Sequence, residues 1–432
     1  KAAPNRYFGP MSLLRDRRIA FLVAGQSLNA IGTWCALVAI WGYATFHFDA
    51  GPSEIALLGL AWALPPFLLG PIAGIPVDRF GPKRALIVAD GAAALVALLF
   101  LFAGSFTALV VLAAIDGVTK SFAAPAFQAL PPRIVGDDRI AAANAMLATA
   151  EQSAIAFGPL LASVSIALFG FVGAFVVNSI TFVIGIAVLI PFRIGPAPRR
   201  EGERAGGGVI QEFREGVQVI ATRPELRRLM LLAMSCYLIW GAFVVVEPLY
   251  VREVLHGTST LFALLQTAFG VALLAAGVVV TRLGERAVRW SVVCAATMAS
   301  GVCAAIYVGT RVEAVAFIGI VCWGAVTACF LAPLRTLMQR GAPVEVHGRV
   351  FALDGSLHSL GDLVALPLVG LAAAVVGVQV AGASIAVVPV VGGGLIWLRS
   401  RRVAAGESGG SRAPGASVLD VMAEASVPGT RA

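Results

Sequence analysis

The chain has 432 residues, of which 59% are hydrophobic and 13% are charged, and its formal net charge is +8. Soluble domains carry about 25% charged residues, so this composition excludes an ordinary soluble protein and indicates an integral membrane protein. The positive charge requires no nucleic-acid partner, because basic loops that face anionic lipid account for it.

Long apolar runs follow one another along most of the chain. A helix needs about 20 apolar residues to cross a bilayer, and twelve runs reach that length within a few residues at each boundary. They lie at 19–46, 53–76, 85–104, 106–131, 141–169, 171–192, 228–251, 259–283, 290–310, 313–338, 350–377 and 378–398. We therefore predict an all-α membrane protein with twelve transmembrane helices, spans 1 to 12.

The runs fall into two groups of six. We predict a leader at 1–18, an N-terminal six-helix half at 19–192, a linker at 193–227, a C-terminal six-helix half at 228–400 and a tail at 401–432. The tail is rich in Gly, Ser, Ala and Pro, which predicts disorder. In the linker, apolar residues recur at helical spacing from Val209 to Ile220, which predicts an amphipathic helix. This helix lies either on the membrane surface or against the ends of the bundle.

The distribution of basic residues predicts the topology. With the N-terminus in the cytoplasm, 28 of the 32 Lys and Arg residues lie on the cytoplasmic side, Arg252 and Arg311 lie outside, and Lys120 and Arg335 lie within spans. Cytoplasmic loops carry an excess of Lys and Arg. Both termini are therefore predicted to be cytoplasmic.

The loop between spans 2 and 3 combines glycines with charges. Gly74 permits close helix approach, and Gly81 permits a turn that a residue with a Cβ disfavours. Asp78, the acid of the loop, can accept hydrogen bonds from a neighbouring helix end and form a latch that opens and closes. The alternative is a topogenic loop with incidental charges. The residues that we assign to the latch are Gly74, Asp78, Arg79, Gly81, Lys83, Arg84 and Asp90.

This loop resembles the signature loop between helices 2 and 3 of the major facilitator superfamily of secondary transporters. Its spacing recurs from Gly277 to Arg286, 203 residues after Gly74, with Thr281 in the place of the acid. Such repetition indicates two similar halves, as in the parallel repeats of this superfamily. The resemblance implies a transporter of small molecules and not an enzyme.

Three further stretches are similar to the branch of multidrug and macrolide efflux proteins and the enterobactin exporter. They are Asn144 to Glu151 followed by Gly158-Pro159, Asn178 to Phe182, and Gly348 to Phe351. Gly158 and Pro159 also resemble the antiporter motif of exporters and predict a kink in span 5, although alanine and serine replace other glycines of that motif. Thr33 follows Gly32 where many relatives carry an acid, so proton transfer here uses another site or none.

Charged residues inside the spans are the candidates for coupling. A charge at the bilayer centre costs about 2.5–3.5 kcal/mol on insertion scales and needs a partner, a proton or water. Counting about 1.5 Å per residue places Asp116, Glu151 and Asp362 near the midplane. Asp116 and Lys120 are spaced i, i+4 and can neutralise each other, as a structural or a functional pair.

Span 11 carries Asp354, His358 and Asp362 at steps of four. His358 can change charge near neutral pH, although hydrogen bonding between helices is an alternative explanation for this stripe. We predict Glu151 first, and Asp362 with His358 second, as proton carriers. Asp116 is a weaker candidate because of Lys120.

Uncharged polar residues within the spans are candidates for the substrate cavity, and interhelical hydrogen bonds explain them equally well. They are Gln26, Asn29, Asn144, Asn178 and Gln266. Glu247 lies about one turn from the outer surface near Arg252, and we assign it no role in transport.

The sequence favours a proton-driven exporter of amphipathic small molecules that works by alternating access in the bacterial inner membrane. The alternatives are an importer, a facilitator or a lysophospholipid flippase of the same fold, and a membrane sensor or enzyme without transport. Lys120-Ser121 lacks the glycines of a Walker A loop, and the six cysteines show no metal-ligand spacing. We therefore predict no nucleotide, metal or other cofactor, and the partners are a small molecule, protons and the lipid bilayer. The chain is predicted to be a monomer.

Overall fold

The computed structural model describes residues 17–130, 140–192, 209–343 and 346–410. Side chains are described within these ranges except at 17–19, 22, 71, 140–152, 209–213, 215, 348 and 401–410. The α-helices of this part of the chain are α1 (Arg17–Phe46), α2 (Pro52–Leu69), α3 (Ile75–Phe80), α4 (Pro82–Leu99), α5 (Phe106–Gln128), α6 (Ile140–Leu189), α7 (Val209–Thr222), α8 (Pro224–Glu253), α9 (Ser259–Leu283), α10 (Trp290–Gly309), α11 (Glu313–Gly341), α12 (His347–Val376) and α13 (Val378–Gly410).

The helix boundaries follow local sequence signals. Prolines occupy the first turn of α2, α4 and α8, where the missing N–H is not needed. The hydroxyl groups of Ser105 and Thr258 accept hydrogen bonds from backbone N–H groups in the first turns of α5 and α9. Gly81, before α4, has a φ of +83°, a conformation that favours glycine. The turn predicted at Gly81 is therefore confirmed.

Eleven helices of the described residues are long and apolar enough to cross a membrane, whereas the sequence predicts twelve spans. The difference arises at α6, a 50-residue element that covers predicted spans 5 and 6. Gly170, inside α6, has a non-helical φ of +66° and breaks the helix at the boundary predicted between these spans. The part counted as one span has 37 residues, about 55 Å of helix against a hydrocarbon core of about 30 Å. The twelve-span count stays a prediction.

Successive long helices run antiparallel, so the connections between them lie alternately at the two ends of the bundle. We call the end that carries Gly81, Gly284 and the start of α8 the basic end, and the other the opposite end. At the basic end, Lys83 Nζ donates to the carbonyl oxygens of Ile190 and Phe192 at 2.6 and 2.8 Å. At the opposite end, Gln379 Nε2 donates to the Val308 carbonyl oxygen at 3.0 Å.

Two junctions join the N-terminal helices α1–α6 to the C-terminal helices α8–α13. The first is α2 against α12, and the second is α9 against α6. In the predicted repeat α2 corresponds to α9, and the first part of α6 corresponds to α12, so the junctions are equivalent pairs. A methyl group built on Gly270 of α9 would lie 2.6 Å from the Ile155 carbonyl oxygen, and one on Gly370 of α12 would lie 3.1 Å from that of Pro52. Glycine thus allows the backbones to touch at both junctions.

The linker forms the predicted helix, whereas the last helix extends into the predicted tail. The amphipathic helix α7 packs against α12, where a methyl group built on Gly216 would lie 2.7 Å from Leu353 Cδ1. This is the second alternative given for the linker, packing against the bundle. The last helix, α13, continues to Gly410 beyond the predicted start of the tail at 401, because Ala404 and Ala405 favour helix. Residues 411–432 lie outside the described part.

Candidate transport site

A cavity of about 410 Å³ lies between α1, α4, α5 and α6 in the N-terminal half. Its lining includes the aromatic residues Trp34, Phe127 and Phe182 and the polar residues Gln26, Asn29, Asp90 and Lys120. Phe127 lies next to the basic end of α5, and Trp34 lies near the middle of α1. The cavity therefore reaches from the basic end to about half the depth of the bundle.

Asp90 and Asn29 form the polar centre of this cavity. Asp90 is only 2% exposed, and Asn29 Nδ2 donates to Asp90 Oδ2 at 3.2 Å. The assignment of Asp90 to the latch stays a prediction, and in this arrangement Asp90 is part of the cavity wall. It lies just over two turns into α4, on the face that it shares with the lining residues Leu86 and Ala93, because helical spacing of four and three places these side chains together.

The side-chain amides of Gln26 and Asn29, in the same cavity as Asp90, each have an unpaired hydrogen-bonding atom. Gln26 Nε2 and Asn29 Oδ1 are buried without a hydrogen-bond partner among the described residues. A buried polar atom without a partner is costly, and a ligand can provide one. The cavity prediction for Gln26 and Asn29 is thus supported by one donor and one acceptor at the same wall.

The predicted pair on α5 is present and has a third member. Lys120 Nζ lies 2.9 Å from Asp116 Oδ2, and Trp62 Nε1 of α2 donates to the same oxygen at 3.0 Å. Asp116 therefore has both a cation and a neutral donor, which favours the structural alternative for this acid. The contact of Trp62 was not predicted, because the sequence does not show which helix α5 faces.

The stripe of Asp354, His358 and Asp362 on α12 faces α8 and contacts an aromatic residue there. Tyr237 donates its hydroxyl hydrogen to Asp354 Oδ1 at 2.8 Å. The His358 ring stacks on the Tyr237 ring, with centroids 4.5 Å apart and planes 11° apart. His358 Nε2 lies 3.9 Å from Asp362 Oδ2. The three titratable side chains of the stripe thus share one interface, as the spacing predicts.

Asp362 differs from the other intramembrane acids in its surroundings. Its Oδ1 would lie 2.7 Å from a methyl group built on Gly241 of α8, so the glycine makes room for the carboxyl group. Its side chain is 25% exposed, and no described Lys or Arg lies within ion-pair distance of it. Asp362 is therefore accessible and lacks a fixed counter-ion.

Several predicted residues lie elsewhere or outside the described part. The side chains of Glu151 and Asn144 on α6 are not described, so their roles stay predictions. Asn178 is buried with an unpartnered Oδ1 but is not part of the described cavity lining. Gln266 is not part of the described cavity lining, its Nε2 donates to Glu247 at 3.0 Å, and its cavity role stays a prediction. The helix dihedrals continue through Pro159, and the break is at Gly170.

Gly158 has a packing role instead of marking a break. A Cβ built on Gly158 would lie 2.9 Å from the Ile31 carbonyl oxygen of α1. The absence of a side chain lets α6 lie directly on α1, so the close packing predicted for this glycine is observed.

The acid of the predicted latch loop has no side-chain partner in this arrangement. The side chain of Asp78 is exposed on α3 and makes no hydrogen bond or ion pair with a described residue. The close approach predicted at Gly74 was wrong for this arrangement, because no atom lies within 4 Å of a Cβ built there. Arg79 lies over the Phe80 ring at 5.3 Å, Arg84 is exposed, and Lys83 binds the end of α6. The latch therefore stays a prediction for another arrangement.

Two residues that the sequence did not single out make well-defined contacts near the opposite end of α8. Glu247 is buried and accepts hydrogen bonds from Tyr307 and Gln266. Arg252 makes a separate contact, because its Nη1 donates to the Thr45 carbonyl oxygen at 2.7 Å. The sequence signal that could have found Glu247 is an acid six residues inside the end of an apolar helix.

Comparison with known proteins agrees with this architecture. A model of the Major Facilitator Superfamily matches residues 22–366 and, in a second match, residues 229–428. Apolar helices in two joined halves, with a polar cavity within the bundle, define a multi-pass membrane transporter. The chain belongs to the Major Facilitator Superfamily, as the loop at Asp78 predicted.

The relatives include an uncharacterised MFS-type transporter, YfiS, of Bacillus subtilis strain 168, which is 25% identical over 217 residues. That match covers 50% of this chain and 52% of YfiS, so the chain spans about half the length of this relative. Macrolide efflux protein A of Streptococcus pyogenes is 23% identical over 82% of this chain and 89% of its own length.

Solved structures share the fold at low identity. A bacterial homolog of the human lysosomal transporter Spinster, inward-facing and unoccupied, has a TM-score of 0.69 and 15% identity and covers 90% of this chain and 97% of its own. A POT family transporter in complex with 5-aminolevulinic acid has a TM-score of 0.71 and 12% identity and covers 90% and 96%. These likenesses concern the fold alone.

Proposed function

We propose that the chain is a proton-driven exporter of amphipathic small molecules that works by alternating access in the inner membrane. The basic end lies in the cytoplasm, because Lys and Arg accumulate on the cytoplasmic side of membrane proteins. The described arrangement has glycine-packed junctions and a cavity that reaches the basic end. It is then the arrangement that takes up substrate from the cytoplasm.

The mixed lining of the cavity carries this proposal. Trp34, Phe127 and Phe182 offer aromatic surface, and Gln26 and Asn29 offer an unpaired donor and an unpaired acceptor. Small-molecule sites are mostly apolar and contain a few polar groups that orient the ligand, in volumes of about 300–1,000 Å³. A ligand with an apolar body and a few polar groups fits this lining. The relatives named macrolide efflux proteins support export.

Asp362 and Glu151 are the proposed proton carriers. A carrier binds and releases protons in turn, so it cannot be held permanently by a cation. Asp362 meets this condition, and His358 beside it can take part. Glu151 stays the first candidate because of its position near the middle of predicted span 5, in the first part of α6, which is the counterpart of α12 in the repeat. Asp116 is a structural residue, since Lys120 and Trp62 both bind it.

The test uses the full chain in proteoliposomes with an imposed pH gradient and a fluorescent amphipathic dye. We expect the wild type to accumulate dye against its gradient, and Asp362→Asn or Glu151→Gln to lose accumulation while retaining downhill exchange. Glu313→Gln, at an exposed acid of α11, is the control and keeps accumulation. The direction of dye flux in vesicles of known orientation separates export from import. If both carrier variants still accumulate dye in response to pH, coupling does not pass through these acids and a facilitator is favoured.

A further inference from the structure

Glu247 of α8 is a buried acid that the proposed cycle does not yet use. Its side chain lies between three helices of the C-terminal half, and the residue is 5% exposed. The Tyr307 hydroxyl of α10 donates to Oε1 at 2.9 Å, and Gln266 Nε2 of α9 donates to Oε2 at 3.0 Å. Both carboxyl oxygens therefore have a neutral donor.

The other groups around Glu247 bring no cation to it. On α8, Tyr250 donates its hydroxyl hydrogen to the Thr310 carbonyl oxygen, and Arg252 binds Thr45 and Glu253. From α11, Trp323 packs near the Tyr307 ring and donates to Ser300. Asp362 of α12 lies beside Gly241, six residues and about 9 Å further along α8. Among the described residues, no ion pair compensates a charge on Glu247.

An acid within a membrane bundle requires a cation, a proton or water beside it. Glu247 has no described cation and is almost completely enclosed, so a proton is the partner that can neutralise its charge inside the bundle. The site lies about 9 Å from the end of α8, at the opposite end of the bundle from the loop of Asp78.

Gln266 connects this acid to the junction between the halves. Phe262, Gln266 and Gly270 are spaced four residues apart on α9 and so share one face. Phe262 lies 3.9 Å from a Cβ built on Gly42 of α1, and Gly270 meets Ala156 of α6. Gln266 therefore lies on the face of α9 that contacts the N-terminal half.

The hydrogen bond between Gln266 and Glu247 depends on the proton. An ionised Glu247 accepts from both Tyr307 and Gln266, and the described hydrogen bonds fit that state. When a proton binds Oε2, that oxygen becomes a donor, and Gln266 can satisfy it by turning its amide so that Oε1 accepts. A proton taken up by Glu247 thus changes the orientation of a side chain on the face of α9 at the junction.

We propose that Glu247 is a second proton-binding site, separate from the proposed carriers Asp362 and Glu151, which is loaded from the opposite end when the halves part there and is sensed by Gln266. This inference rests on the proton-driven transport proposed above. It assigns the site at the opposite end a different role from Asp362, the proton carrier proposed on α12.

The first test observes the proton directly. Infrared difference spectra of the reconstituted full-length protein, recorded as pH changes, should contain a carbonyl stretch of a protonated carboxyl group that disappears in Glu247→Gln and remains in Glu313→Gln. In Gln266→Leu the acid is retained but loses one partner, so the band should remain and shift in frequency. Unchanged spectra in folded Glu247→Gln would overturn the proposal, and an unshifted band in Gln266→Leu would overturn the sensing step.

The second test separates this proposal from the proposed function. In oriented proteoliposomes, Glu247→Gln should abolish the dependence of dye transport on pH at the opposite end, while Asp362→Asn should abolish gradient-driven accumulation itself. If the wild type does not accumulate dye, proton-driven transport fails, and the infrared titration still decides whether Glu247 binds a proton. If the wild type accumulates dye and Glu247→Gln retains the same pH dependence, this proposal fails and the carrier role of Asp362 is unaffected.

Discussion

The junctions between the halves and the basic end differ in how closely the chain approaches its glycines. At the junctions, Gly270 and Gly370 bring helix backbones together, so that a methyl group on either would meet backbone atoms. At the basic end, a Cβ built on Gly74 or Gly277 would have no atom within 4 Å. Glycines of the same kind are therefore packed at one place and unpacked at the other.

This difference indicates which interactions hold each side. At the junctions, the helices are held by close packing of their backbones, which leaves no room for an added atom. At the basic end, the side chain of Asp78 has no partner among the described residues, and we expect it to bind only when the ends of the helices close. Alternating access then means that glycine contacts at the junctions and charge contacts at the basic end form in turn.

The largest effect on the ratio of the two arrangements is expected at the glycine-packed junctions. Gly270→Leu should destabilise the described arrangement by about 1–3 kcal/mol of overpacking, which is about fivefold or more in the ratio of the two arrangements. Gly277→Leu, on the same helix but in open space, should shift the ratio the other way by obstructing closure of the basic end. Distances between spin labels on α2 and α12, measured at both ends, give the ratio. A shift in the same direction for both variants would contradict the comparison.

The next effect concerns the loop of Asp78. Asp78→Asn keeps the size of the side chain but removes its charge, so insertion and folding should be unchanged while a charge-assisted hydrogen bond of about 1.5–3 kcal/mol is weakened in the other arrangement. Transport should slow by about tenfold, since about 1.4 kcal/mol corresponds to that factor. Transport rates in proteoliposomes measure it, and a wild-type rate in well-folded Asp78→Asn would disprove the latch.

The matching position in the second half provides the control for the latch. Thr281 occupies the place of the acid, and its hydroxyl donates to the Gly277 carbonyl oxygen at 2.9 Å. Thr281→Asp should change transport by only about twofold, as exposed substitutions within about 0.5 kcal/mol do. A large effect there would mean that both halves use the loop in the same way.

A small effect is also expected at Arg252, the charged contact between the halves at the opposite end. It donates to the Thr45 carbonyl oxygen in the last turn of α1 and lies 3.9 Å from Asp49. A cation at a helix C-terminus contributes about 0.3–1 kcal/mol, so Arg252→Gln should shift the ratio of arrangements by about two- to fivefold. Spin-label distances at low salt measure the shift, and Arg311→Gln, an exposed residue at the same end, should leave them unchanged. High salt should reduce the difference.

The sequence predicted the parts of the site that depend on spacing within one helix. Asp116 and Lys120 are one turn apart, and the pair is present at 2.9 Å. Asp354, His358 and Asp362 are each one turn apart and share one face of α12 with Tyr237 beside them. Helical geometry alone places such residues together, whatever the neighbouring helix is.

By itself the sequence determined the family, the apolar helices and the repeated loop, because length, hydropathy and local spacing fix these features. The tertiary structure alone decided which helices meet: Asn29 reaches Asp90, Trp62 reaches Asp116, and Glu247 joins Gln266 and Tyr307. The physical reason is that the outer surface of a membrane helix faces lipid and not water. Large apolar side chains such as Phe102 and Val375 are 80% and 84% exposed, and lipid-facing surfaces are as apolar as the interior. Hydropathy therefore does not mark the inner face of a membrane helix, and only packing shows which polar side chains share a site.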